Sequence, residues 1–159
     1  MEIIAVNKFY AVFYHPVFLS AFFSWFIAQM MKSTIEFARN KRKRTKSLII
    51  TFLWSTGGMP SSHSAVVASL ATSVGFVEGF NTPLFIALFF YGVLTVRDAL
   101  GVRRAAGIQA QVINRICREL NKQQKSDIPP VKEVHGHTGI EVSVGVLLGF
   151  FIAVAFCNL

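Results

Sequence analysis

Residues 10–31, YAVFYHPVFLSAFFSWFIAQMM, run for 22 positions without a Lys, Arg, Asp or Glu. A bilayer core takes about 20 predominantly apolar residues of helix to cross, so this stretch has the length and character of a membrane span. Three further apolar segments, 61–77, 81–96 and 140–158, carry no charge apart from Glu141. They are shorter, which limits tilt and places their ends among lipid head groups. A hydrophobic content of 53% with 16 phenylalanines is too oily for an ordinary soluble domain, and the mean hydropathy of +0.50 agrees. The sequence therefore predicts one all-α integral membrane domain over residues 1–159, a polytopic helical bundle of about four transmembrane helices.

Two segments do not fit the role of spans. Residues 47–56 are apolar but only ten long, which suits a re-entrant or interfacial piece. Residues 102–120 place Val102, Ala105, Ala106, Val112, Ile113, Ile116, Cys117 and Leu120 on one helical stripe, opposite Arg103, Arg104, Arg115, Arg118 and Glu119. That pattern predicts an amphipathic helix lying in the membrane interface. The polar stretch 121–133 reads as a linker stopped by prolines, tolerant of change. Gly145 and Gly149 form a small-xxx-small pair suited to close helix packing.

Of the 16 basic residues, seven fall in 32–47 and eight in 97–137. By the positive-inside tendency both loops are cytoplasmic and both termini external, a parity that four crossings satisfy. The N-terminus has no basic n-region and its apolar run exceeds a signal peptide's, so the first span is expected to stay uncleaved. A net charge of +8 and pI near 9.9 could suit nucleic acid, but bases and aromatics are not interleaved. Anionic lipid is the expected partner, nucleic acid is not, and compact spans leave room for a homodimer. Cys117 and Cys157 form no disulfide framework. His15, His63, His135 and His137 offer no metal-ligand spacing beyond H-x-H, so neither metal nor cofactor is expected.

This topology puts Lys32, His63, Arg97, Asp98, Arg103, Arg104, His137 and Glu141 at or just beyond the cytoplasmic ends of spans. Pro60, Ser61, Ser62 and His63 precede a helix, where free backbone N–H groups attract phosphate oxygens. His63 titrates near neutral pH and could give or take a proton. The alternative is that Ser61 or Ser62 only caps the helix. His137 and Glu141, four apart, can share a helical face, so that the carboxylate orients the imidazole as a nucleophile. Thr138 and Glu141 also read as a capping box that serves only the helix. Arg103 and Arg104 can bind phosphate through their guanidinium forks, or anchor on lipid as Arg115 and Arg118 do. Asp98 needs a partner near the membrane boundary, which Arg97, Arg103 or Arg104 could supply. Lys32 can snorkel to head groups or reach inward to a phosphate. The run from Arg39 to Lys46 is a topology and lipid-contact signal.

Taken together, GGMPSSHSA, DALGVRRAAGIQAQVIN and GHTGIEV resemble the divergent branch of the type-two phosphatidic acid phosphatase and vanadium haloperoxidase superfamily. That superfamily carries K-x6-R-P, P-S-G-H and S-R-x5-H-x3-D. Lys32 and Arg39 reproduce the first block with Asn40 for proline, Pro60 to His63 match the second with Ser62 for glycine, and His137 and Glu141 match H-x3-D. Val131 stands where the third block has its arginine. The resemblance implies a metal-independent membrane phosphatase acting on a lipid phosphate or isoprenoid diphosphate. It implies His137 as the nucleophile that becomes phosphohistidine, Glu141 as its orienting partner and His63 as general acid. Lys32, Ser61, Ser62, Arg103 and Arg104 would then hold the phosphate, and vanadate would inhibit. The departure at Val131 leaves an alternative, a non-catalytic membrane protein that binds phosphorylated lipid or assembles with partners.

Overall fold

The structure is a computed structural model and describes residues 10–39, 58–124, 128–133 and 136–159. The expected re-entrant piece at 47–56, the basic run beyond Arg39 and His135 lie outside the described residues. Among the described residues, the helices with both ends defined are, in order, α1 (Pro16–Arg39), α2 (Ser62–Glu78), α3 (Pro83–Leu100), α4 (Val102–Gln124) and α5 (Gly139–Asn158); residues 10–13 are helical as well. The described residues hold no strand.

Each helix start has a local cause. α1 begins at Pro16, after helical residues 10–13 end in a turn at Tyr14, because proline suits the first helical position where no N–H is needed. His15 caps it, its Nδ1 accepting the Val17 N–H at 3.3 Å. Ser61 caps α2 and Thr82 caps α3, where Pro83 takes the first position. α5 opens with the full Thr138–Glu141 capping box. At the other end α1 runs past the apolar stretch to Arg39, so Lys32 sits inside the helix rather than closing it. Its charge is accommodated by burial against α2, described below.

Helices α1, α2 and α5 pack mutually, with α2 against α5 the most extensive pair; α3 lies on α2, and α4 contacts no described helix except α3. The interior is made of small residues. Ser20, Ser24 and Ala28 of α1, Ser64, Ala65, Ser69 and Ser73 of α2, and Ala153 of α5 are essentially inaccessible. Ser69 and Ser73 return their hydroxyls to carbonyls of their own helix, Val66 O at 3.0 Å and Ser69 O at 2.7 Å. On α5, Gly145 faces the Ser61 carbonyl and Gly149 the Ala65 carbonyl, each so closely that a Cβ would collide. The expected small-xxx-small contact is therefore the α2–α5 crossing.

Apart from Pro60, the buried apolar side chains among the described residues are all Ala or Val, while phenylalanines along α1, α3 and α5 face outward. Water-soluble proteins bury their largest apolar side chains. Lipid removes that drive and leaves close backbone approach as the packing force, which selects small residues between helices. Among the described residues, two helical stretches, Pro83–Gln123 and Gly139–Asn158, are long and apolar enough to cross a membrane.

Candidate active site

α1, α2, the α3–α4 junction and the N-terminus of α5 meet at one end of the bundle, and each delivers side chains. Lys32 reaches in from α1 with only 5% of its surface exposed, and its Nζ donates to Ser62 Oγ at 3.2 Å. Of the two fates open to this lysine, snorkelling and inward reach, the second is the observed one. Ser61 is engaged twice: its Oγ accepts from the Ser64 N–H at 3.4 Å and hydroxyl at 2.9 Å, and its N–H donates to Glu141 O at 2.9 Å. It is thus both cap and tether between α2 and α5. His63, in the first turn of α2, is exposed and feels the charges of Arg103, Lys32, His137 and Asp98.

His137 precedes α5 and is 7% exposed. Its N–H donates to Ala99 O at 3.3 Å, fixing the backbone to the end of α3. Its Nδ1 lies 3.4 Å from Glu141 Oε2, and the same oxygen accepts the Thr138 N–H at 2.8 Å. Glu141 therefore caps α5 and lies against the His137 ring at the same time. A capping carboxylate fixed by the helix start is also a rigid partner for the ring, and it favours hydrogen on Nδ1 with the Nε2 lone pair free. Burial, followed by the charge of Lys32, pushes the His137 imidazole below its ordinary value, and Glu141 partly offsets this. A neutral ring with a free nitrogen beside fixed cations can attack an electrophilic centre that carries negative charge.

Asp98 finds its partner in Arg103, whose Nε lies 2.5 Å from Oδ2. Arg103 also acts electrostatically on both His63 and His137. Arg104 presents its backbone instead: Gly136 lies so close that a Cβ would strike the Arg104 Cα. The Arg97 and Arg104 side chains are exposed. Val131 is exposed too, its backbone bonded to Asn114. Among the described residues no three His, Cys, Asp or Glu side chains gather as metal ligands would. Asn114, Gly136 and Ser64 lie within the motif blocks, but no role for them could be read there, because their roles depend on the pairing of distant segments.

The same blocks that form this site fall within a family model described as Divergent PAP2 family, which matches residues 13–152. The chain belongs to the Divergent PAP2 family. The chain is also 39% identical over 145 residues to the uncharacterized membrane protein YuiD of Bacillus subtilis (strain 168), covering 84% of this chain and 89% of that protein. No solved structure matches it significantly. Membership in this family, the membrane-protein relative and the outward-facing apolar helices together make this a membrane-associated member.

Proposed function

We propose that this protein is a membrane phosphatase that hydrolyses a lipid phosphate or isoprenoid diphosphate at the cytoplasmic surface. The observation that carries the reading is the setting of His137: buried, held at Nδ1 by Glu141, beside the buried Lys32 ammonium and within charge range of His63 and Arg103. In this reading His137 Nε2 forms a bond to phosphorus as the bond to the leaving oxygen breaks, and His63 gives that oxygen its proton. Water, losing a proton to His63, then attacks phosphorus and releases His137. Lys32, Arg103 and Ser62 stabilise the equatorial oxygens. Four crossings place both termini outside, and α4 rests in the head-group layer with Arg115, Arg118 and Lys122 toward anionic lipid.

Phosphate release from a lipid phosphate in mixed micelles tests the reading. His137→Ala is expected to abolish turnover and His63→Ala to lower kcat by about 100-fold or more, with vanadate inhibiting the wild type. Because burial and the Lys32 charge hold the His137 imidazole below its ordinary value in the free protein, its neutral form persists as pH falls, and the acidic limb of kcat/KM set by this group lies lower than an ordinary histidine would put it. Full turnover in both histidine variants would contradict the assignment. The second reading, binding of phosphorylated lipid without hydrolysis, is favoured by one observation: Val131 stands at the arginine position of the related motif. Lipid retained without phosphate release, and unaffected by His137→Ala, would select it.

A further inference from the structure

Residues 128–133 run back along α4, and two asparagines of α4 hold them. Asn121 Oδ1 accepts the Ile128 N–H at 3.0 Å, while its Nδ2 donates to the Ile128 carbonyl at 3.1 Å. Asn114 does the same to Val131, at 2.8 and 2.9 Å, and its Nδ2 also donates to Glu133 Oε1 at 2.9 Å. Each side-chain amide takes both backbone groups of one residue.

The spacings agree. The seven residues from Asn114 to Asn121 rise about 10.5 Å in a helix, and the three from Ile128 to Val131 cover about 10 Å when extended. Between the clasps stand Pro129 and Pro130, which have no N–H to satisfy and a fixed φ. The sequence I-P-P-V is thus a stiff bar with a donor and an acceptor together only at its ends. Beyond it the chain is fixed twice more, by Gly136 against the Arg104 backbone and by the His137 N–H on Ala99 O. The successive partners Asn121, Asn114, Arg104 and Ala99 retrace α4 to its junction with α3.

We propose that Asn114, buried and hydrogen-bonded to Val131 and Glu133 rather than to His137 or Glu141, is a positioning residue for His137. It fixes how far along α4 the segment 128–133 lies, and so where the imidazole stands against Glu141 and Lys32. The consequence for turnover rests on the phosphatase reading; the positioning itself does not.

Amide exchange and histidine titration by NMR on the full chain in micelles test it. In Asn114→Ala, exchange at both Val131 and His137 accelerates by about tenfold or more, as loss of three hydrogen bonds allows. The His137 ring then titrates closer to 6.5, while amides in the middle of α2 and α5 keep their protection. Asn121→Ala releases Ile128 and moves His137 in the same direction by less, and it decides the matter should Asn114→Ala fail to fold. Release of Val131 with His137 exchange and titration unchanged would overturn the proposal, as would uniform acceleration through α5. If the wild type hydrolyses phosphate, Asn114→Ala lowers kcat with KM little changed. If the wild type releases none, the phosphatase reading fails and the NMR result still decides the positioning.

Discussion

Helices α2 and α5 meet backbone to backbone, whereas α4 and the segment 128–133 meet through side-chain amides. At the first contact Gly145 and Gly149 lie on the carbonyls of Ser61 and Ala65, and the Ser61 N–H closes on Glu141 O. At the second, Asn114 and Asn121 span the gap with paired hydrogen bonds while the apolar side of α4, including Val112, Ile113 and Ile116, stays exposed. Both converge on His137, one through the start of α5 and the other through the chain leading into it. The difference shows two ways of fixing one side chain without a large apolar core. Close backbone approach forbids any added atom, while a clasp tolerates its surroundings and depends on one amide.

Substitutions separate the two. Gly149→Leu is expected to have the largest effect, since its Cβ alone overlaps the Ala65 carbonyl; a loss of at least about 3 kcal/mol, or failure to fold, is expected of overpacking at a rigid backbone contact. Thermal unfolding in detergent measures it, and a near-native midpoint would mean that the α2–α5 crossing is looser than described. Gly136→Ala comes next. Its methyl meets the Arg104 backbone, but the segment can shift, so a cost of about 1–3 kcal/mol is expected, with His137 displaced; a silent variant would remove Arg104 from the path that places the ring. Ile116→Ser is expected to be smallest, within about 0.5 kcal/mol in detergent, because this side chain packs outward. A larger loss would reveal a protein partner for that face of α4.

Much of the bundle was legible because lipid imposes a simple code. Uncharged stretches marked α1, α2, α3 and α5, and the period of residues 102–120 marked α4. Gly145 and Gly149 were legible as a packing pair since few other arrangements need two small residues four apart. Lys32 was harder: a charge reads as the end of a span, and the groups it turns toward, the hydroxyl of Ser62 30 residues away and the carboxylate of Glu141, are distant in sequence. Arg103 and Arg104 looked equivalent, yet about 100° of helical rotation turns one toward Asp98 and leaves the other's backbone against Gly136. The stretch 121–133 read as a free linker. It is not: α4 extends to Gln124, and Ile128 and Val131 are clasped. Asparagines carry no helical or strand period, so a side chain pairing with backbone 17 residues on leaves no trace in a pattern of apolar positions.

In the proposed phosphatase, Lys32, His63 and His137, from three separate parts of the chain, surround one anion. Titration of the histidine-labelled protein with orthovanadate, followed by NMR of the ring nitrogens, tests this most directly. His63 and His137 are expected to shift together along one binding curve, and Lys32→Met to weaken binding at both by about tenfold or more, as loss of a charged hydrogen bond would. Independent curves for the two rings, or a response confined to exposed His63, would contradict it.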